Sequence, residues 1–212
     1  FGANSQLEEI QSYAFDRSRK LLTLHLPDSL RIIAESGFSF CENMVEVKFG
    51  SSQSAAKLEY IGLDGFFFPL KLKEIILPDS LKFVGVNAFT RAESATSIIF
   101  GSSLEEISEK AFALAFSVTR LVLPRSVKRI RKAAFGLTGA KVIEINSVVL
   151  SLGEDALGHG ALNHSNIFFS KDLYSFQEVA LNVSVLSMYV NSTCAGGKCV
   201  CQDGYGSTYQ GT

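Results

Sequence analysis

The sequence predicts a solenoid, a fold in which successive segments of chain wind into stacked coils around one shared core. Three observations predict it. A small residue followed by Phe recurs six times at intervals of 23 or 28 residues, an L-x-x-L-x-L segment follows each recurrence, and a turn signal follows most of these segments. One segment of this length cannot bury its own apolar face, so its neighbours along the chain must cover it.

The anchor, defined as the Phe of each recurrence, is expected to point into the core. One aliphatic residue precedes it by eight positions and a second precedes it by five. The anchors are Phe15, Phe38, Phe66, Phe89, Phe112 and Phe135, continued by Leu157 and Leu181, and the aliphatic pairs are Leu7/Ile10, Leu30/Ile33, Leu58/Ile61, Leu81/Val84, Leu104/Ile107, Val127/Ile130, Val149/Leu152 and Leu173/Phe176. We therefore expect the six Phe side chains to form one buried column.

The final L-x-L of each segment alternates, which predicts a short strand with every second side chain inward. The first inward column is Leu24, Val47, Ile75, Ile98, Leu121 and Ile143. Residues beside these must then point outward. One outward column is Thr23, Glu46, Glu74, Ser97, Arg120 and Val142, and the other is His25, Lys48, Ile76, Ile99, Val122 and Glu144.

The turns after the strands come in two alternating kinds. Pro27-Asp28-Ser29 and Pro78-Asp79-Ser80 alternate with Gly50-Ser51-Ser52 and Gly101-Ser102-Ser103, so a pair of repeats is the larger unit. The one interval of 28 residues contains five extra residues, which fall in the segment 50–56. Its Ser-rich and Ala-rich composition is typical of a loop that bulges from one coil.

The pattern L-x-x-I-x-x-x-A-F…L-x-x-L-x-L-P-x-S resembles the BspA-like (Treponema-type) leucine-rich repeat family over residues 1–190. The resemblance implies a curved α/β-type solenoid of about eight repeats, with short parallel strands on the concave face and short strands or helical turns outside. It also implies a structural role for Cys41, which occupies a position where that family carries Cys or a small residue. Because the chain starts in mid-repeat, we expect Phe1 to be the last strand residue of a preceding repeat and the chain to be N-terminally truncated.

The segment 191–212 resembles the later half of an EGF-like module, although that module's earlier cysteines and its last one are missing. Its cysteines are Cys194, Cys199 and Cys201, which cannot all pair with one another, so at least one reactive thiol is expected. A metal site is the alternative, but no His follows Cys201. Three glycosylation sequons, at Asn163, Asn182 and Asn191, also favour an extracellular or cell-surface location.

Composition and motifs exclude several function classes. The 20 Lys and Arg residues balance 21 Asp and Glu residues, which argues against a nucleic-acid partner, and no apolar run approaches the roughly 18 residues of a membrane-inserted helix. Phosphate-loop and nucleophile-elbow motifs are absent. His25, His159 and His164 have no further metal ligands at a suitable spacing. Glu8-Glu9 and Glu105-Glu106 recur at one repeat position, which is typical of charged surface residues and not of a catalytic pair. The sequence therefore indicates no catalytic residue, no cofactor and no metal.

The candidate partner-binding residues are the two outward columns, on the face that the resemblance implies is concave. Ile76, Ile99 and Val122 would form an exposed aliphatic stripe rimmed by charges, a pattern typical of a protein-binding patch. The alternative is that β-branched residues simply suit strands. Other candidates are the loop around Gln53 and the basic run 125–132, which is either an anion or glycan patch or the solvated edge of one coil.

Three functional hypotheses follow. The leading one is a non-enzymatic extracellular recognition or adhesion module, part of a larger surface or secreted protein, that binds a protein or glycoprotein. The second is a structural spacer that presents neighbouring domains. The third is an enzyme with a cryptic site, which the missing catalytic motifs disfavour.

Overall fold

The computed structural model describes residues 1, 5–147, 149 and 151–158, together with three further strands, Ile167–Phe169, Ser192–Ala195 and Lys198–Cys201. This part of the chain consists of strands joined by turns and contains no helix. The α/β character that we expected is therefore not confirmed, and the described chain is a parallel-strand β-solenoid of about 6 turns, about 23 residues apart. The eighth expected repeat, around Leu173 and Leu181, lies outside the described residues.

One side of the solenoid is a parallel sheet of seven two-residue strands, here called the narrow sheet. Its strands are β1 (Glu9–Ile10), β3 (Ile32–Ile33), β5 (Tyr60–Ile61), β7 (Phe83–Val84), β9 (Glu106–Ile107), β11 (Arg129–Ile130) and β13 (Ser151–Leu152). Each strand pairs in parallel with the equivalent strand of the next coil. The second aliphatic residue of each of the first seven predicted pairs therefore lies in this sheet, and Phe176 of the eighth pair lies outside the described residues.

The six predicted L-x-L strands, with one further strand after them, form the other side, here called the L-x-L face. They are β2 (Thr23–Leu26), β4 (Glu46–Phe49), β6 (Glu74–Ile76), β8 (Ser97–Ile99), β10 (Arg120–Leu123), β12 (Val142–Ile145) and β14 (Ile167–Phe169). They pair in parallel as β2–β4, β6–β8 and β10–β12–β14. The remaining strands, β15 (Ser192–Ala195) and β16 (Lys198–Cys201), form an antiparallel hairpin.

A ladder of stacked Phe rings runs through the core and confirms the predicted anchor column. Neighbouring rings from Phe15 to Phe135 are nearly parallel, at interplanar angles of 2–11° and centroid distances of 5.0–5.5 Å. All but Phe15, which is half-buried, are buried. The inward L-x-L column from Leu24 to Ile143 is buried as well. The period of the sequence thus correctly predicts which side chains share the core.

Contacts between coils explain why the turns alternate. Asp28 Oδ1 accepts hydrogen bonds from the backbone N–H of Ser51 at 2.6 Å and from its hydroxyl at 3.1 Å, and Asp79 Oδ1 accepts one from the N–H of Ser102 at 3.0 Å. The Asp of one turn therefore holds the Gly-Ser turn of the next coil. A Cβ on Gly101 would lie 1.9 Å from the Pro78 carbonyl oxygen, so the second turn requires glycine there.

The segment 50–56 does not bulge freely from its coil. The Gln53 side-chain amide donates to the Leu77 carbonyl at 2.7 Å, and the Asp79 N–H donates to the Gln53 carbonyl at 3.0 Å. Ala56 is buried beneath the segment's end. The five extra residues are therefore held against the following coil.

Candidate functional site

The outward columns of the L-x-L face lie where the alternation predicts. In β2 and β10 exposed and buried residues alternate strictly, and in the other L-x-L strands up to β12 the outward positions are exposed or half-buried. The twelve outward residues are Thr23, His25, Glu46, Lys48, Glu74, Ile76, Ser97, Ile99, Arg120, Val122, Val142 and Glu144. The core thus fixes which side chains this face presents to solvent.

An aliphatic stripe occupies the middle of this face. Ile76, Ile99 and Val122 are 40%, 47% and 40% exposed, values unusual for large aliphatic side chains within strands. Ile76 pairs directly with Ile99 in the β6–β8 ladder, and β8 lies against β10, which carries Val122. The three side chains therefore form one continuous apolar surface across three coils.

Ion pairs border the stripe at both ends. Towards the N-terminus, Lys48 Nζ lies 2.8 Å from a Glu46 carboxylate oxygen and His25 Nε2 lies 3.8 Å from the other. The hydrogen bond from Lys48 holds the pKa of the Glu46 carboxyl below its usual value. Towards the C-terminus, Arg120 pairs with Glu144. The site is an apolar centre with a charged rim, which suits binding of a macromolecule rather than bond-making chemistry.

The described part of the chain holds no group of three or more His, Cys, Asp or Glu side chains that could bind a metal ion. Nor does it form a helix that is long and apolar enough to cross a membrane. His25, which is exposed on β2, lies close to Glu46. The candidate site on the L-x-L face is an exposed strand surface.

Cys41 lies in the core, as expected for a structural cysteine. Its side chain is 0% exposed, and its thiol lies 3.4 Å from the Phe15 carbonyl oxygen, to which it donates. Burial raises the pKa of the Cys41 thiol to about 11, so the folded protein keeps it protonated at neutral pH. It packs as a small apolar residue.

The basic run 125–132 is largely neutralised within the chain. Its ion pairs are Lys128 with Glu105, Arg129 and Arg131 with Glu106, and Lys132 with Glu154. Burial acts to raise the pKa of the Glu106 carboxyl, but hydrogen bonds from Arg131 and Arg129 outweigh it and hold that pKa below its usual value. This arrangement favours the solvated coil edge over an anion patch.

Two surface features were not predicted from the sequence. On the narrow sheet, Ile32 and Tyr60 are exposed and the Tyr60 ring stacks on Phe83. At one corner of the solenoid, the Arg17 guanidinium lies over the Phe40 ring and the Arg91 guanidinium over the Phe68 ring. The repeat gives no signal for either feature, because no single residue type recurs throughout the columns that carry them.

Several predicted features lie wholly or partly outside the described residues. The sequon residues Asn163, Asn182 and Asn191 lie outside the described residues. In the expected EGF-like segment only the backbones of β15 and β16 are described, and their register sets Cys194 opposite Cys199. Glycosylation and an EGF-like module therefore stay predictions.

Comparison with protein families gives a match to the BspA type leucine rich repeat region, in 6 copies, over residues 1–68 and 59–186. No curated protein matches the chain. Proteins of this repeat family are typically non-enzymatic scaffolds.

Among solved structures, the pneumococcal vaccine antigen PcpA is 30% identical over 66% of this chain and 36% of its own, with a TM-score of 0.58. A leucine-rich repeat protein from Bacteroides ovatus is 22% identical over 78% of this chain and 56% of its own, with a TM-score of 0.46. The leucine-rich repeat protein of T. pallidum is 20% identical, over 69% of this chain and 67% of its own, with a TM-score of 0.43. This chain spans little more than a third of PcpA and about half of the Bacteroides protein. With the repeat matched along most of its length, the chain belongs to the BspA type leucine-rich repeat family.

Proposed function

We propose that this solenoid is a recognition module that binds a partner protein through the aliphatic stripe of the L-x-L face. The observation that carries the proposal is the continuous exposure of Ile76, Ile99 and Val122 on three neighbouring coils. Leucine-rich repeat proteins, including cell-surface antigens, are known as protein-binding modules, which supports the same class of function.

The stripe is suited to binding because its side chains are already ordered. Residues on both sides of each stripe residue along the chain, such as Ile75 and Leu77 around Ile76, are buried and fix the backbone. Ile and Val have few rotamers, so little side-chain entropy is lost when a partner covers them. Removing these exposed apolar groups from water supplies the favourable free energy of association.

The rim supplies specificity. Glu74 and Arg120 carry opposite charges on one side of the stripe, next to Ile76 and Val122, and the pairs at Glu46 and Glu144 extend the charged border. A partner with complementary charges would be steered into register, while like charges would be repelled. We infer that the partner presents an apolar centre with acidic and basic groups around it.

An extracellular or cell-surface location and a protein or glycoprotein partner belong to this proposal. The sequons, the cysteine-rich segment near the C-terminus and the similarity to PcpA, which is a vaccine antigen, support that location. Adhesion to a cell or a matrix would be one use of such a module.

The test is binding to an array of purified secreted and cell-surface glycoproteins, followed by titration of each array member that binds saturably. Ile99→Asp places a charge in the middle of the stripe without touching the core, and we expect it to raise the Kd at least about tenfold, as for a hot-spot residue. The matched control is Leu137→Asp, which alters an aliphatic side chain that is 56% exposed but lies off this face. It should leave the Kd unchanged.

Circular dichroism of both variants checks that the fold is retained. If binding survived Ile76→Asp, Ile99→Asp and Val122→Asp together, the L-x-L face would not be the site, and the segment around Gln53 or the run near Lys128 would be tested next. If no member of the array bound the parent chain, the spacer hypothesis would be favoured.

A further inference from the structure

The narrow sheet carries an apolar patch that is separate from the stripe of the L-x-L face. Ile32, Tyr60 and Phe83 occupy the same position in β3, β5 and β7, and the sheet register pairs them in sequence. Ile32 and Tyr60 are 39% and 41% exposed, Phe83 is half-buried, and the Tyr60 and Phe83 rings stack at 4.9 Å. We call these three residues the Tyr60 patch. Leu63 and Val86, three positions after Tyr60 and Phe83, are 39% and 37% exposed and add to the apolar surface of the same coils.

A column of charges runs beside the patch, at the residue that precedes each outward residue of the narrow sheet. Its members alternate in sign over six successive coils: Glu8, Arg31, Glu59, Lys82, Glu105 and Lys128. We call this column the charge ladder. Within the chain, Glu59 pairs with Arg31 at 2.9 Å and with Lys82 at 2.8 Å, and Lys128 pairs with Glu105 at 3.1 Å.

The backbone places the ladder on the same surface as the patch. In each coil from Arg31 to Lys128, the ladder residue and the patch-column residue after it donate their N–H groups to one carbonyl of the preceding coil, as Glu59 and Tyr60 both do to Arg31. The ladder residue precedes the two-residue strand, so the alternation of the strand does not extend to it. Both residues of each pair are accordingly exposed or half-buried.

We propose that a second copy of this chain docks on the Tyr60 patch, related to the first by a two-fold axis that runs along the strands between β5 and β7. Such an axis reverses the order of the coils, so the two ladders lie against each other in opposite directions. Tyr60 then faces Phe83 of the second copy. The facing ladder pairs are Glu59 with Lys82, Arg31 with Glu105 and Glu8 with Lys128, each made twice and each of opposite sign.

The alternation also selects where the axis lies. An axis centred on β5 would set Glu59 against its own copy and Glu8 against Glu105, and an axis centred on β7 would set Lys82 against its own copy. Those arrangements bring like charges together, which disfavours them. Only an axis between two coils makes the ladder complementary to itself, and the axis between β5 and β7 is also centred on the stacked Tyr60 and Phe83 rings.

Ion pairing within one chain explains the alternating signs, but not the exposed apolar residues that adjoin them. A different partner protein could cover the Tyr60 patch, but it would need its own matching ladder. A second copy has that ladder by necessity. Because this surface is on the narrow sheet, self-association leaves the L-x-L face available for the partner of the proposed function.

The experiment uses sedimentation velocity over a concentration series. The parent chain should associate to a dimer as its concentration rises. Glu59→Lys sets Lys against Lys82 at both symmetric contacts, and Lys82→Glu sets Glu against Glu59 at both. Each variant alone should therefore dimerise at least about tenfold more weakly than the parent.

An equimolar mixture of the two variants should restore a 1:1 heterodimer, because every facing pair is again of opposite sign. Mixing cannot repair the ion pairs that each variant loses within its own chain, so this rescue reports the interface alone. Glu74→Lys, a charge reversal on the L-x-L face, is the matched control and should dimerise like the parent, and thermal melts confirm that all variants fold. A parent that stays monomeric at all concentrations, single variants that dimerise like the parent, or a mixture that stays monomeric would each overturn the proposal.

Discussion

At the scale of single residues, Phe112 contacts three other Phe rings in the core. Its ring stacks on Phe89 and on Phe135 at 5.5 Å and receives the Phe100 ring edge-on at 5.6 Å. Phe112→Ala removes these contacts and leaves a cavity that two rigid neighbouring rings cannot fill. We expect it to lower the free energy of unfolding by roughly 3–5 kcal/mol, measured by urea denaturation.

Phe116→Ala is the matched control for that prediction. Phe116 lies in the same coil but is 53% exposed, so its truncation should change the free energy of unfolding by less than about 0.5 kcal/mol. A loss below about 1 kcal/mol for Phe112→Ala would contradict the stacked ring ladder, since a buried Phe cannot be deleted at so small a cost.

The inward residues could be predicted from the sequence because each must be apolar at one fixed period. The corner pairs Arg17–Phe40 and Arg91–Phe68 could not be predicted in the same way. They join residues of different type in neighbouring coils, so no single residue type recurs in their column. Their contact depends on the left-handed backbone of the turn, which the residue types do not reveal.

At the scale of elements, left-handed residues explain why the segments around the anchors form turns and not helices. A non-glycine residue with positive φ lies two positions before an anchor and another two positions after it, as at Asn87 (φ 53) and Arg91 (φ 67) around Phe89. The residues between them close short turns, such as Thr90 N–H to the Asn87 carbonyl at 3.0 Å. Because a left-handed residue cannot continue a right-handed helix, each segment stays a series of turns.

Ala133 offers a test of that backbone conformation. Its φ is 49°, a value that costs a residue with a Cβ energy but costs glycine almost none. Ala133→Gly should therefore raise the free energy of unfolding by about 0.5–1 kcal/mol, despite the larger entropy of the unfolded chain, in a thermal or urea melt.

Ala134→Gly is the control at the adjacent position. Ala134 is 0% exposed and does not have positive φ, so glycine there removes a packed methyl group and gains no relief of strain. It should destabilise the chain. If Ala133→Gly were as destabilising as Ala134→Gly, the left-handed conformation at residue 133 would be wrong.

At the scale of the whole molecule, the sequence predicted the stacking direction, the coil spacing and the outward columns of the L-x-L face, because one period governs them all. It did not predict the surface of the narrow sheet. There the strands have only two residues. The consecutive residues Glu59 and Tyr60, whose N–H groups share one carbonyl acceptor, both reach the surface. Strict alternation fails where consecutive residues face the same way. The sequence alone therefore does not reveal that the Tyr60 patch and the charge ladder share one surface.

Each coil pairs only with the coils beside it, and stability should follow that arrangement. In the narrow sheet β9 pairs with β7 and β11, whereas β3 and β1 are three and four coils away from β9. In a solenoid the free energy is the sum of coil terms and nearest-neighbour terms, so damage to one coil weakens its neighbours first. We therefore expect Phe112→Ala to accelerate amide hydrogen exchange in β7, β9 and β11 much more than in β1 and β3. Hydrogen-exchange mass spectrometry in the absence of denaturant measures this gradient, and an equal acceleration in all five strands would show instead that the solenoid opens as a single cooperative unit.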